Sequence, residues 1–381
     1  MNVLVFNVGS TTLKFALLDT DSGVRRSEGI VDRIGQAGGD AKDHLSAARL
    51  VLDRYANQAV DAIGHRVVQG GTRFVEPTLV TPEVLRDLEP LDALAPLHNP
   101  PARSVIEAIV SRELSTPQVM VFDTAFFVAS LPPKAYRYAV SDEVYQKHGV
   151  RRYGAHGTSH QFVIERTLEF LNQRALAGGQ RIISLHLGGG ASATASVAGT
   201  AIETSMGMTP LEGLVMATRT GDIDPSVPLH LMRTAGLSVD EVDQLLNKQS
   251  GLLGLCGEVD MRAILRRCEA GEAAALLAID VYVHRMLKVI GGYYAVLGGL
   301  DGLVFTAGVG ENAAAIRARV TAGLMHLGVA IDEAANETAA ADGEVIDLTH
   351  RDAAVRTLVV PTNEELAIAR QVASCTAFEQ P

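Results

Sequence analysis

One pattern, met twice, constrains the fold of this chain more than any other feature. Val3-Leu4-Val5-Phe6 runs into Asn7-Val8-Gly9-Ser10, and a second apolar run from Leu13 to Leu18 follows, interrupted by Lys14 and ending in Asp19. Ile182-Ile183-Ser184-Leu185 runs into Gly188-Gly189-Gly190, and Ala191 to Val197 follows, with a further strand ending near Glu203. Short apolar runs punctuated by glycine read as strands joined by a tight turn. Both segments are therefore predicted as β-hairpins, and their recurrence in the two halves predicts a structural repeat. A Gly turn between strands gathers backbone N–H groups that suit phosphate oxygens. In the first hairpin Asn7, Ser10, Thr11, Thr12 and Lys14 add hydroxyls and an ammonium, which suit a polyphosphate and its metal ion.

The remaining segments alternate strand and helix, which predicts an α/β architecture. Helices are expected over Leu45 to Tyr55, from Asn99-Pro100-Pro101 through Ala102 to Leu114, over Thr158 to Leu171, through much of 239–299, and from Asn312 to Leu327. Strands are expected at Val119 to Phe122, Gly302 to Thr306 and Thr357 to Val360, with a final helix beginning at Asn363. With 381 residues the chain exceeds what a single core of roughly 250–300 residues holds, so two domains are expected. Segment 132–153, rich in Pro, Tyr and charge, reads as loop and is the best candidate for their boundary.

A third glycine loop admits two readings. Leu303-Val304-Phe305-Thr306, then Gly308-x-Gly310-x-x-Ala313, then a helix and Asp332, has the layout of a dinucleotide fingerprint. A Rossmann unit usually opens its domain with that turn, whereas this one comes late. Glu311-Asn312 also places a carboxylate where pyrophosphate would be repelled. The loop is read as a nucleotide-binding turn, with a Rossmann oxidoreductase as the alternative. No P-loop sequence occurs.

Charge and cysteine usage exclude other classes. A net charge of −11 speaks against non-specific grip on nucleic acid or an anionic membrane. Cys256, Cys268 and Cys375 lack metal spacing and are too few for a disulfide framework, which fits a reducing cytoplasm. Met1 leads straight into a strand-like run, so no signal peptide is expected. The apolar stretch from Val289 to Gly310 is broken by Asp301 and glycines, so no membrane span is expected. Arg66, His98, Asp123, His156, His160, His186, Arg219 and Glu364 fall at predicted strand ends or in loops, where catalytic residues concentrate. Two separated arginines suit a phosphoryl group and a carboxylate, each through a bidentate fork. His156 and His160 are spaced like a zinc pair but have no third ligand at metal spacing.

Ten segments, in one order along nearly the whole chain, resemble acetate kinases. They are Asn7-Val-Gly-Ser-Thr-Thr-Leu-Lys-Phe15, Gly64-His-Arg-Val-Val-Gln-Gly-Gly71, Leu94-Ala-Pro-Leu-His-Asn-Pro-Pro101, Val121-Phe-Asp-Thr-Ala-Phe126 and Arg152-Tyr-Gly-Ala-His-Gly-Thr-Ser-His160. They continue as His186-Leu-Gly-Gly-Gly190, Thr204-Ser-Met-Gly-Met-Thr-Pro-Leu-Glu-Gly213, Thr218-Arg-Thr-Gly-Asp-Ile-Asp-Pro225, Phe305-Thr-Ala-Gly-Val-Gly-Glu-Asn312 and Pro361-Thr-Asn-Glu-Glu-Leu366.

The resemblance implies the superfold shared with sugar kinases, heat-shock chaperones and actin. Two ribonuclease H-like domains, each a ββαβ-type core, would flank a central cleft. They would span 1–148, completed by 374–381, and 149–373. The resemblance implies a cytoplasmic homodimer that phosphorylates a short-chain carboxylate with ATP, using Mg2+ or Mn2+. By matching positions, Asn7 and Glu364 would serve the metal and Lys14 the nucleotide phosphates. His186, Leu187, Gly188, Gly189, Gly190, Asp260, Met261, Arg262, Gly308, Val309, Gly310, Glu311 and Asn312 would form the nucleotide site. Arg66 would bind the acid's carboxylate, with His98 beside it, and Val68, Leu97, Ala155 and Pro210 would border its alkyl group. Asp123 would be the catalytic carboxylate, and His156 and Arg219 would stabilise the transition state.

Four positions depart from the family pattern. Gln69, Phe127, Gly189 and Ala155 stand where His, His, Asn and Phe are usual. Loss of the ring at Ala155 opens space for extra methylenes, each contributing about 0.8 kcal/mol if buried, so propionate or a longer acid is the alternative substrate. A pyrophosphate donor and a silent nucleotide-binding regulator are weaker alternatives. The small Ala307-Gly308-Val309-Gly310 loop speaks against the first, and retention of Arg66, Asp123, His156 and Arg219 against the second.

Overall fold

The computed structural model describes residues 1–112, 115–173, 180–340 and 342–377. The chain divides into two units, one formed by 1–129, 157–159 and 363–381, the other by 130–156 and 160–362. The expected completing segment 374–381 lies outside the described residues from 378 onward.

The first unit holds a six-stranded sheet of β1 (Asn2–Val8), β2 (Leu13–Asp19), β3 (Arg25–Val31), β4 (Ala62–Val67), β5 (Thr78–Leu79) and β6 (Gln118–Phe122). Its order is β3-β2-β1-β4-β6-β5. β1 and β2 form the predicted hairpin, with the turn at Gly9 to Thr12, two residues later than the sequence signal, because Val8 still pairs with Leu13. β1, β4 and β6 run parallel. Their apolar runs are buried on both faces, as parallel strands require, whereas the edge strand β3 alternates exposed and covered positions. Gly64 in β4 admits the helix Glu364–Ala377 onto this sheet. A Cβ there would lie 2.8 Å from Val372 and 3.1 Å from Ile368.

The second unit repeats this layout. β7 (Arg181–Leu187), β8 (Ala191–Val197), β9 (Thr200–Thr204), β10 (Gly302–Thr306), β11 (Ile346–Asp347) and β12 (Arg356–Val359) are ordered β9-β8-β7-β10-β12-β11. An antiparallel meander followed by two parallel strands and a short antiparallel edge is therefore present in both sheets. The repeat read from two hairpins extends to all six strands. The long helix Ala273–Leu297 packs on β8 and on the helices Gly251–Cys256 and Met261–Glu269, and it stops where Gly298 takes a left-handed conformation. Among the described residues no helix is long and apolar enough to cross a membrane.

Several local expectations change. Segment 132–153 contains the helices Pro133–Tyr136 and Asp142–His148. Ser141 caps the second through Val144 N–H, and Gly149 ends it at φ 62°. Gly308-Val309-Gly310 is helical rather than a turn, within Ala307–Asn312. The single helix expected from Asn312 to Leu327 is broken at Ala313 (φ −104°, ψ 82°) and resumes as Ala314–Ala322. The helix opened by Asn99 runs to Val110, and its expected end at Leu114 lies outside the described residues. Val360 falls just beyond β12. Asp332 caps the helix Glu333–Thr338 by accepting from Ala335 N–H at 2.9 Å, and the sheet carries an antiparallel meander, so the Rossmann alternative does not hold.

Candidate functional site

Ligands of open α/β sheets bind beyond the carboxyl ends of parallel strands. In the first unit that position is taken by Asn7 near the end of β1, Arg66 near the end of β4 and Asp123 just past β6. Arg66 Nη1 donates to Asn7 Oδ1 at 3.0 Å, its Nε donates to Asp123 Oδ1 at 3.1 Å, and its Nη2 donates to Asp123 Oδ2. Thr158 Oγ1 adds a weaker bond to Asp123 Oδ1 at 3.4 Å. Asp123 is 1% exposed, so its carboxylate is held almost wholly by these donors. Burial works against the Arg66 charge, but Asp123 and Glu364 outweigh it and keep the guanidinium protonated. A guanidinium carries five N–H donors. Three are engaged here, which leaves two for an incoming carboxylate.

Lys14 is exposed and pairs across the hairpin with Asn7. Glu364 opens the helix Glu364–Ala377. Burial raises its carboxyl to about 7; Arg66 and Lys14 pull it down, Asp123 and Glu365 push it up. Asn7 Oδ1, which accepts from Arg66, and the Glu364 carboxylate are oxygen atoms of the type a hard divalent cation takes, commonly one or two from protein with the rest from water. No group of three His, Cys, Asp or Glu side chains at metal-holding distance occurs among the described residues.

Val68 is buried, Leu97 is 41% exposed, and His98 precedes the helix Asn99–Val110. Gln69 braces the turn that follows it. Its Oε1 accepts from Gly71 N–H at 3.0 Å, and its backbone exchanges two bonds with the buried Asn99 side chain. Phe127 is fully buried against Phe126, with ring centroids 5.2 Å apart.

The second unit carries a histidine cluster at the end of β7. His156 stacks on His186 with centroids 4.1 Å apart and planes inclined by 23°. His156 Nδ1 lies 2.9 Å from Ser192 Oγ, and the same hydroxyl lies 2.8 Å from His160 Nε2. His160 Nδ1 in turn lies 2.7 Å from Ser184 Oγ. His160 is fully buried, and burial, with His186 alongside, holds its imidazole neutral far below the ordinary histidine range. His156 adopts φ 60°, a left-handed conformation that costs energy in a non-glycine residue and is enriched at functional sites.

Gly188, Gly189 and Gly190 close the β7–β8 turn. A Cβ on Gly190 would lie 3.3 Å from both Cε1 and Nε2 of His156 and 3.7 Å from Arg219 Nη1, so the two side chains meet over this glycine. Arg219 Nη1 donates to the Pro210 carbonyl at 3.1 Å and approaches Met216 Sδ at 3.8 Å. No carboxylate lies within ion-pair distance of it among the described residues, and burial alone lowers its basicity. A desolvated cation without an acidic partner is a receptor for an anion supplied from outside. Ala155, 3% exposed, belongs to the apolar core of this unit.

The third loop is held from within. Glu311 Oε1 accepts from Ala307 N–H at 2.8 Å, Thr306 Oγ1 at 3.3 Å and Thr362 N–H at 3.0 Å. Ala307 adopts φ 63°, Gly308 is open, and Asn312 Nδ2 donates to the Gly308 carbonyl at 2.9 Å. Beneath the loop, the fully buried Arg317 donates from Nη1 to the carbonyls of Gly310 (3.0 Å) and Glu311 (2.8 Å). Its Nε donates to Asn336 Oδ1 at 2.7 Å and its Nη2 to the Asn336 carbonyl at 2.9 Å. Asp260 and Arg262 pair with one another on the surface at 2.8 Å, Arg262 holding the Asp260 carboxyl down to about 2, and Met261 between them points into the core.

Sequence reasoning thus reached the charged residues but missed Thr158, Ser184, Ser192, Arg317 and Asn336. One signal for Ser192 was present: Ser192, Thr194 and Ser196 alternate along β8, and all are fully buried. Buried hydroxyls call for polar partners, which among the described residues Ser192 and Thr194 find and Ser196 Oγ does not. Arg317 has no such signal in its neighbours.

A model of the Acetokinase family matches residues 42–370. The chain is 46% identical over 393 residues to the acetate kinase of Streptomyces avermitilis, covering 97% of this chain and 96% of that protein. It is 48% identical over 385 residues to the acetate kinase of Micrococcus luteus, covering 97% and 98%. The fold is similar to the crystal structure of Porphyromonas gingivalis acetate kinase, with TM-score 0.90, 38% identity and coverage of 98% and 99%. It is equally similar to a propionate kinase from Francisella tularensis, with TM-score 0.91, 37% identity and coverage of 98% and 99%.

Proposed function

The chain belongs to the acetokinase family, and from that premise we propose that it transfers the γ-phosphoryl group of ATP directly to a short-chain carboxylate, acetate first, giving acyl phosphate and ADP reversibly. The observation that carries this reading is Arg219, a half-buried guanidinium bonded to a carbonyl and a thioether, with no carboxylate partner among the described residues. Phosphoryl transfer asks for positioning and charge neutralisation rather than covalent chemistry. Arg219 and His156 take the charge of the transferring group. Arg66 holds the acid's carboxylate with its two remaining N–H donors. Asp123 fixes the Arg66 fork and orients the acid without having to accept a proton, since a carboxylate is already a nucleophile near neutral pH.

Asn7 and Glu364 would hold Mg2+, which supplies charge neutralisation on the nucleotide phosphates when bound. Lys14 and the loops at Gly188 to Gly190 and Gly308 to Asn312 take the nucleotide, together with Asp260, Arg262 and the backbone of Met261. The homodimer implied by the family resemblance belongs to the same reading. Light scattering should then give about twice the 40.4 kDa chain mass.

The test is trapping of acyl phosphate by hydroxylamine across a series of acids, with ATP or pyrophosphate as donor. Acetyl hydroxamate formed with ATP and Mg2+ supports the reading. No hydroxamate with any acid or donor overturns it. A preference for propionate is the second reading, favoured by Ala155: the residue is small where the family carries a ring, and it is buried in apolar surroundings. A steady fall of kcat/KM from acetate through propionate to butyrate removes that second reading.

A further inference from the structure

The chain Ser184, His160, Ser192, His156 is a run of four side chains joined by hydrogen bonds of 2.7, 2.8 and 2.9 Å. All but His156 are fully buried. The geometry points to Ser192 and His160 as positioning residues that set which nitrogen of His156 carries its proton. The inference rests on the phosphoryl-transfer reading only for what that proton does.

The direction of the chain follows from donors and acceptors. A hydroxyl has one proton and two lone pairs, so between two imidazoles it can donate to only one. Ser192 donates to His156 Nδ1 and accepts from His160 Nε2–H, or both bonds run the other way, or it accepts from both rings. His156 turns its Nε2 edge to within 3.3 Å of the position a Gly190 Cβ would occupy, beside Arg219 Nη1. An anion held there by Arg219 is repelled by a bare nitrogen lone pair and attracted by an N–H. Neutral His156 offers N–H at Nε2 only if Nδ1 is an acceptor. Ser192 must then donate to Nδ1 and accept from His160 Nε2–H, and His160 Nδ1 must accept from the Ser184 hydroxyl. The burial that keeps His160 neutral leaves it with one donor and one acceptor nitrogen, as the chain requires. His186, stacked on His156 with ring centroids 4.1 Å apart, restricts rotation of the ring.

The arrangement explains why a strand of small residues carries a serine at 192, and why His156 is held at φ 60°. Stereochemical cost at one residue is accepted where the surroundings over-determine the geometry.

Two measurements test the assignment. Long-range 1H–15N spectra of the unmodified, 15N-histidine-labelled protein at pH 7.5 report tautomers directly. Both His156 and His160 are expected as the Nε2–H form. A His156 signal of the Nδ1–H form overturns the proposal whether or not the protein has kinase activity. Kinetics then test the consequence. Ser192→Ala is expected to lower kcat by about 10–100-fold while the KM values for ATP and acid stay within about twofold, since the ring is misdirected but neither substrate loses a contact. Ser192→Cys, which keeps a weak donor, should recover part of the loss. Unchanged kcat in a folded, hydroxamate-forming Ser192→Ala overturns the positioning role while leaving the kinase reading intact. Equal losses in the Ala and Cys variants, or a rise in KM alone, overturn it too.

Discussion

Replacing Arg317 with Lys should loosen the loop at Gly308 to Asn312. Arg317 makes four bonds to four separate acceptors: two backbone carbonyls at the end of the helix Ala307–Asn312, and the side chain and carbonyl of Asn336. A lysine ammonium has three donors on one atom and lacks the planar fork. At least one buried acceptor is therefore stranded. A lost charge-assisted bond costs about 1.5–3 kcal/mol, and the other three are bent from their present directions. Taking about 2 kcal/mol as the loss in local stability, opening of the loop becomes roughly thirty times more frequent. Hydrogen exchange followed by mass spectrometry over residues 307–317 should speed up by about that factor, with other helices unaffected. If Gly308 to Asn312 bind the nucleotide, the KM for ATP should rise by about tenfold and that for the acid should not move. Unchanged exchange in the Lys variant would refute the clamp. Faster exchange with a raised acid KM and an unchanged ATP KM would refute the assignment of the loop.

Three further outcomes can be checked independently. A Cβ on Gly189 meets nothing within 4 Å, so Gly189→Asn should leave the melting temperature unchanged within about a degree and lower the KM for ATP several-fold, read by steady-state kinetics. Ala155→Phe puts a ring among buried apolar side chains, and overpacking there costs about 1–3 kcal/mol in thermal unfolding. If the small side chain serves longer acids, the propionate-to-acetate ratio of kcat/KM should fall by about tenfold in the same variant. Burial holds His65 down to about 4, below the 6.5 of an unfolded histidine, so the unfolded chain binds the proton first as pH drops. Stability present above pH 6.5 is lost as pH falls toward 4, by about 3 kcal/mol from this residue, and His65→Gln should flatten that part of a melting-temperature profile.

The duplicated hairpins were legible because a short apolar run and a glycine turn are local signals, whereas the order of the six strands in each sheet depends on pairings between distant segments and was not. The charged residues at strand ends were legible for the same reason: Arg66 and Asp123 sit beside runs that must be strands. What pairs with what was not legible. The Arg66 fork on Asp123 joins residues from separate strands, and the chain through Ser192 joins β7, β8 and the start of a helix. Helix breaks also escaped, since Ala313 leaves helical geometry without a proline or glycine to announce it. Gln69 looked like a lost histidine, and only its bond to Gly71 shows that the turn now depends on it.

The helix Glu364–Ala377 packs on β1, β4 and β6, yet it is translated after the whole second unit. A ribosome therefore releases the first sheet long before the helix that covers it. Until then Gly64 and its neighbours present a bare apolar face in a nascent chain, a face suited to capture by a holdase or to a wrong partner. The first unit cannot close vectorially, and its maturation waits on synthesis of residues 364–377. Truncation at residue 362 should thus cost the first unit its solubility while sparing the second, and supplying 363–381 as a separate peptide should restore it.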